Sequence, residues 1–258
     1  MFKFPKNKNQ NSKSYAEDYL NVLSKVSKKI NFNLVNDLSN LLSNYYSSDN
    51  NIFVCGNGGS AAISNHFICD HLKSVSLDTK LLPKIISLSS NLEIISAIAN
   101  DISYEEIFSF QLSRLGKKGD CLIAISSSGN SKNIINAIEW AKKNKLKTVS
   151  FNGFDGGKAN KICDISINVP CNNYGIIEDL HQSIMHILAQ SIRMQNIDKK
   201  NLYYIGDNFC DLETAHNLGC QGIGLNTGIG NLSNINKDSD LSRFPVCASL
   251  TEALSLIK

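Results

Sequence analysis

The chain has 258 residues, 42% of them apolar, enough to bury a substantial core as one large domain or one domain plus a fragment. Its formal charge of +3 carries no footprint of a duplex-binding protein: Lys3, Lys6, Lys8 and Lys13 crowd the first fourteen residues, leaving 22 bases against 23 acids in the remainder. No apolar stretch approaches the ~20 residues that cross a bilayer, and MFKFPKNKNQNSKSY lacks the apolar centre of a secretory signal, so a cytoplasmic address is expected.

In chain order, residues 1–14 read as a disordered basic terminus. From Tyr15 to about Ser47 the apolar positions Tyr19, Leu20, Leu23, Val26 and Ile30, then Leu34, Leu38, Leu41 and Leu42, recur at threes and fours. That period predicts two helices, broken near Asn31 to Asn33. Alternation follows: strand 51–55, helix 60–73, strand 84–89, helices 92–99 and 107–115, strand 121–125, helix 132–143, strands 147–152 and 164–169, and a long helix 177–193. Strands separated by helices predict an α/β fold with a parallel sheet covered on both faces. The eight cysteines form no CxxC pair, and Cys55, Cys121 and Cys163 sit in or beside apolar runs, as small core residues of a reducing compartment do. A catalytic or metal-binding cysteine is the lesser alternative, with Cys69, within HFICDH, as its candidate.

Sheets of this kind bind ligands at the carboxyl ends of their strands. Two polar turns fall there, CGNGGS after the first strand and ISSSGNS (125–131) after the third, and each opens a helix. Glycine lets the backbone approach an anion, serine adds a hydroxyl donor, and free N–H groups at a helix start favour negative charge. One such turn is a helix cap; two converging on one crevice predict a phosphorylated ligand. Neither fits GxGxxG or GxxxxGK[ST], which disfavours a nucleotide.

His66 and Asp70 are i and i+4 on the helix that the first turn opens, and Glu178, Asp179, His181 and His186 open the long helix. Imidazoles and carboxylates suit zinc or a related divalent ion and also move protons near neutral pH. A solvated ion pair is the alternative for His66 and Asp70. Glu178 and His186 are eight residues apart, about 12 Å along a straight helix, so one ion reaches both only through a bent helix start, an extended Glu178 or a neighbouring subunit. His181 reads as a core histidine or as support for a metal ligand.

The segments CGNGGSAAISNHF, ISSSGNSKNIINAI and NGFDGGKAN resemble the SIS (sugar isomerase) domain, and in particular the phosphoheptose isomerases, which convert sedoheptulose 7-phosphate to a heptose 7-phosphate. The likeness spans about residues 15–195, within a domain expected over 15–198. It implies a Rossmann-like, flavodoxin-like sheet with N-terminal helices. It also implies that Asn57, Gly58, Ser60, Ser126, Ser128 and Ser131 hold the sugar phosphate, with Ser127 and Asp101 near the substrate. Zinc would bind at His66, Asp70, Glu178 and His186, in a homotetramer with active sites between subunits. The chain departs from the pattern at Asp70, where Glu is usual, at Glu178, where Gln is usual, and at Gly175, where an acid is usual. Aldose–ketose isomerisation through an enediol needs a base at carbon and an acid at oxygen, here expected to be Asp70 and His186. The competing reading is a non-catalytic SIS module that binds a sugar phosphate or a protein partner.

Residues 199–258 are a separate matter. LYYIGDNFCDLETAHNLGCQGIGLNTG reads as strand, acidic turn, helix, strand, and resembles the last motif of haloacid dehalogenase (HAD)-type phosphatases, with Asp207 and Asp211 matching the magnesium-binding GDxxxD. The nucleophilic DxD of those enzymes has no counterpart before it; the chain's only DxD, Asp238-Ser239-Asp240, follows the motif. The tail is expected to be a remnant packed on the isomerase body, with a docking surface and a half-site completed by a second chain as alternatives.

Overall fold

The computed structural model describes residues 1–5, 11–77, 79–227, 232 and 240–257. Its contacts divide the chain into two units, one built from Met1–Leu77 and Leu81–Met194 and the other from Gln195 onward together with Thr79 and Lys80.

The first unit begins with α1 (Ser12–Ser27) and α2 (Phe32–Tyr46), and the break between them is capped by Asn31, whose side chain accepts the Asn33 N–H. There follow β1 (Ile52–Gly56), α3 (Gly59–Cys69), β2 (Ile85–Ser87), α4 (Leu92–Asp101), α5 (Ser109–Leu115), β3 (Cys121–Ser126), α6 (Lys132–Lys143), β4 (Lys147–Gly153), α7 (Ala159–Ile162), β5 (Ile165–Val169) and α8 (Tyr174–Asn196). The five strands are all parallel, in the order β2-β1-β3-β4-β5. Strand side chains alternate between faces, so Ile52, Val54, Cys121, Ile123 and Ile125 join α1, α2 and α8 in one core. Phe53, Cys55, Leu122 and Ala124 join α4, α5 and α6 in the other. The chain steps from β1 to β2 on one side and then crosses to β3 on the other, which makes the β1/β3 edge the topological switch point.

Two features differ from the sequence reading. The expected disordered start is pinned at residues 1–5: Phe2 N donates to Pro170 O at 2.8 Å, Phe4 N donates to Asn172 Oδ1 at 2.8 Å, and Phe4 is buried against Tyr15 and Tyr19. Two aromatic residues flanking Lys3 supply the burial that the lysine-rich composition concealed. Asn11 then caps α1, while residues 6–10 lie outside the described part. The helix expected over 60–73 stops as an α-helix at Cys69 and widens into a π-helical turn over Asp70–Val75.

Two histidines are buried in this unit. His71 Nδ1 lies 2.6 Å from the Tyr46 hydroxyl, its ring 4.0 Å from that of Phe67, and burial lowers its pKa to about 3. His181 Nε2 donates to Asn152 O at 2.9 Å, which makes it a core histidine; burial lowers its pKa to about 4. A histidine in the unfolded chain titrates near ~6.5. Because the folded values lie below that, the stabilisation is complete above the unfolded pKa and is lost as pH falls through the interval toward 3–4. Equilibrium urea unfolding should therefore lose up to about 1.4 kcal/mol per pH unit for each histidine between ~pH 6 and ~pH 5. His71→Phe should flatten that dependence, and an unchanged slope in the variant would remove His71 from the account.

The second unit carries β6 (Tyr203–Gly206), α9 (Phe209–Leu218), β7 (Gln221–Leu225), β8 (Val246–Cys247) and α10 (Leu250–Ser255), its strands parallel in the order β6-β7-β8. Two small apolar clusters, around Leu212 and Phe244 and around Ile223 and Cys247, form its core. Asp211 caps α9 by accepting the Asn208 N–H at 3.0 Å, Asp207 is exposed at the end of β6, and residues 238 and 239 lie outside the described part. Among the described residues no helix is long and apolar enough to cross a membrane, and all eight cysteines are free thiols.

Candidate active site

Gly56 and Ile125 are paired neighbours on β1 and β3, so the turns leaving the two strands start side by side at the switch point. They enclose a cavity of about 150 Å³ lined by Asn57, Ser60, Ile125, Ser126, Ser127, Ser128, Ser131, Tyr174 and Glu178. Ser60 lies in the first turn of α3, and Ser131 caps α6 without spending its hydroxyl on the helix. Ser127 Oγ is buried and has no hydrogen-bond partner among the described residues. A buried hydroxyl left unpaired costs ~1–3 kcal/mol, so this cavity is built for something that bonds to it. No lysine or arginine lines it; an anion here meets hydroxyls and helix-start N–H groups.

Three residues outside the sequence expectation hold the site together. Asn133, near the start of α6, exchanges two 2.9 Å hydrogen bonds with Asn57, and Tyr104 donates to Asn57 Oδ1 at 3.1 Å, so the β1 turn is clasped to the far helix. Tyr174 adds a wall at the start of α8. Asn133 was findable as the second amide in SGNSKN; Tyr174 carries no sequence signal. Of the expected phosphate and substrate ligands, Gly58 and Asp101 do not line the cavity. Gly58 shapes the turn with φ of 52°, and Asp101, exposed at the end of α4, accepts from Asn100 Nδ2 at 2.8 Å.

His66, Asp70 and His186 converge, with one donor atom from each within 4.8 Å of the others. Asp70 Oδ1 lies 3.3 Å from His66 Nε2 and Oδ2 lies 2.9 Å from His186 Nδ1, and the two rings meet edge to face at 5.0 Å. The fourth expected ligand, Glu178, is not in this cluster, as the helical rise between residues 178 and 186 requires. Its carboxylate rests instead on Gly59, where any side chain would overlap Oε2, and faces the serine cavity. Burial raises the Glu178 pKa, and the neighbouring Asp179 raises it further. Cys69 is exposed and outside the cluster.

The His–Asp–His set fits a divalent ion of the zinc class. Asp70 Oδ2 is buried without a well-directed hydrogen bond, and two imidazoles with one carboxylate are donors such ions take. Gln182 Nε2 stands 3.0 Å from His186 Nε2, the ring nitrogen turned away from Asp70.

A parallel sheet of this order, with a serine-lined anion cavity at its switch point, is the architecture of sugar-phosphate-binding domains. The model for the SIS domain matches residues 14–153, and the chain belongs to that family. Within it the chain groups with the phosphoheptose isomerases and is an enzyme of the isomerase class. The phosphoheptose isomerase of Helicobacter pylori is 43% identical over 141 residues, 55% of this chain and 73% of that protein. A protein of Thermoplasma acidophilum named a probable phosphoheptose isomerase is 36% identical over 177 residues, covering 69% of this chain and 97% of its own. The structure of the Francisella tularensis phosphoheptose isomerase superposes with a TM-score of 0.65 at 26% identity, over 72% of this chain and 100% of that one. A second model, HAD-hydrolase-like, matches residues 177–253.

Proposed function

We propose that the first unit interconverts a ketose phosphate and its aldose, with sedoheptulose 7-phosphate and heptose 7-phosphate as the pair, through an enediol. The observation that carries this reading is the unpartnered, buried Ser127 hydroxyl inside a ring of serines, with α3 running from that ring at Ser60 to a converged imidazole–carboxylate cluster at His66. The relatives' activity agrees with it. Ser60, Ser126, Ser127, Ser128 and Ser131 bind the phosphoryl oxygens with hydroxyl and helix-start N–H groups. His66, Asp70 and His186 would hold zinc, which when bound polarises a substrate oxygen. His186 holds or releases the proton needed at the sugar oxygen, and Asp70 orients both imidazoles. Assembly as a homotetramer, with neighbouring subunits completing each site, belongs to the same proposal.

The test is proton NMR of the purified chain with sedoheptulose 7-phosphate and a panel of other ketose phosphates in deuterated water. Deuterium appearing beside the carbonyl of one substrate is expected. Silence across the panel would overturn the isomerase reading in favour of a module that binds a sugar phosphate without converting it.

A further inference from the structure

Isomerisation moves a proton between adjacent carbons, and the group that takes it needs a free lone pair, contact with the substrate and partial removal from water. Four carboxylates stand near the site, and three are engaged. Asp70 is held between two imidazoles, Asp101 accepts from Asn100, and Asp179 accepts the Tyr19 hydroxyl at 2.6 Å. Glu178 has no hydrogen bond or ion pair among the described residues, and it is the one carboxylate that lines the serine cavity. The remaining lining groups are hydroxyls, an amide and an isoleucine, none of them a base near neutral pH. Gly59 leaves the carboxylate the space it occupies against the start of α3.

From this placement we infer that Glu178, and not Asp70, takes the proton from the carbon beside the substrate carbonyl. The inference rests on the isomerase reading given above. The Glu178 carboxylate accepts the proton, the C–H electron pair becomes the carbon–carbon double bond of the enediol, and the carbonyl π pair moves onto the carbonyl oxygen. That oxygen takes the proton that the neighbouring hydroxyl gives up as it becomes the new carbonyl, and Glu178 returns its own proton to the former carbonyl carbon. Atoms and electrons balance with no further reactant. Burial works in the same direction, since a carboxylate that resists ionisation is the stronger base.

The experiment is Glu178→Gln, which keeps the shape of the side chain, assayed with sedoheptulose 7-phosphate in deuterated water alongside the parent enzyme. Bound zinc and the thermal midpoint are measured on the same samples. The expected result is a loss of about 100-fold or more in both turnover and deuterium uptake, with KM, zinc content and thermal midpoint near parental values. Glu178→Asp should recover part of the rate. Three results overturn the inference: exchange in Glu178→Gln close to the parent's, a change confined to KM, or a loss of rate that follows a loss of zinc. If the parent itself exchanges nothing, the isomerase reading fails, and this inference fails with it.

Discussion

Asp70→Asn is expected to abolish turnover while leaving sugar-phosphate binding and folding intact. The substitution preserves size but removes the anion that the two imidazoles share, at 3.3 Å from His66 Nε2 and 2.9 Å from His186 Nδ1. The Asp70 side chain is only 18% exposed, so the lost charge is one that solvent does not fully screen. An amide also presents an N–H where the carboxylate presents only lone pairs, which changes the tautomer that His186 can hold against it. A divalent ion would lose the one anionic donor of its three. Turnover should fall by roughly 10³-fold, in the range of losing a positioned acid–base group, with bound zinc falling well below one per chain. Calorimetric titration with sedoheptulose 7-phosphate should still register binding, because none of the residues lining the cavity belongs to the cluster. Turnover within a few-fold of the parent would remove Asp70, and the cluster it centres, from the chemistry.

The parts of the site that the sequence made legible were those written locally. Each polar turn follows an apolar run and opens a helix, and that is why Ser60, Ser126, Ser127, Ser128 and Ser131 were identifiable and do line one cavity. His66 and Asp70 are neighbours by helical spacing alone. What escaped depends on tertiary placement. Nothing near His66 in the chain says that His186, 120 residues later, arrives at the same carboxylate; only the family resemblance supplied that. The same resemblance put Glu178 with the metal ligands, whereas the rise of α8 separates it from His186 and turns it into the cavity. The widened turn at Asp70–Val75 has no sequence signature, although it accompanies the change in direction between Asp70, which meets His186, and His71, which is buried beneath Tyr46. The shorter aspartate thus reaches two imidazoles at the very place where the helix departs from α geometry. At the N-terminus, composition outweighed pattern: four lysines announced solvent, while Phe2 and Phe4 carried the docking.

Gly129→Ala should be the most damaging small substitution in the phosphate loop, because Gly129 is where that loop is bolted to the rest of the unit. Its φ of 63° is left-handed, which costs an alanine about 1–2 kcal/mol. A methyl group there would also overlap the carbonyl oxygen of Gly156, a backbone atom that cannot swing aside. The NGFDGGKAN segment explains the closeness. Gly153 N donates to Ser127 O at 2.8 Å, Ala159 N to Gly129 O at 2.9 Å and Lys158 N to Asn130 Oδ1 at 2.9 Å, so residues 153–159 bracket the serines from behind. Relieving the overlap means pulling that bracket away and breaking at least one of those bonds, each worth ~1 kcal/mol. The sum is about 2–4 kcal/mol, a drop of roughly 5–15 °C in thermal midpoint for a unit of this size. The serine hydroxyls move with the loop, so affinity for inorganic phosphate or a sugar phosphate should fall by about tenfold or more even at temperatures where the variant is folded. Calorimetric melting and phosphate titration of the same sample separate the two effects. A variant that melts with the parent and binds phosphate as the parent does would mean that the bracket neither sets the loop's shape nor matters to the anion site.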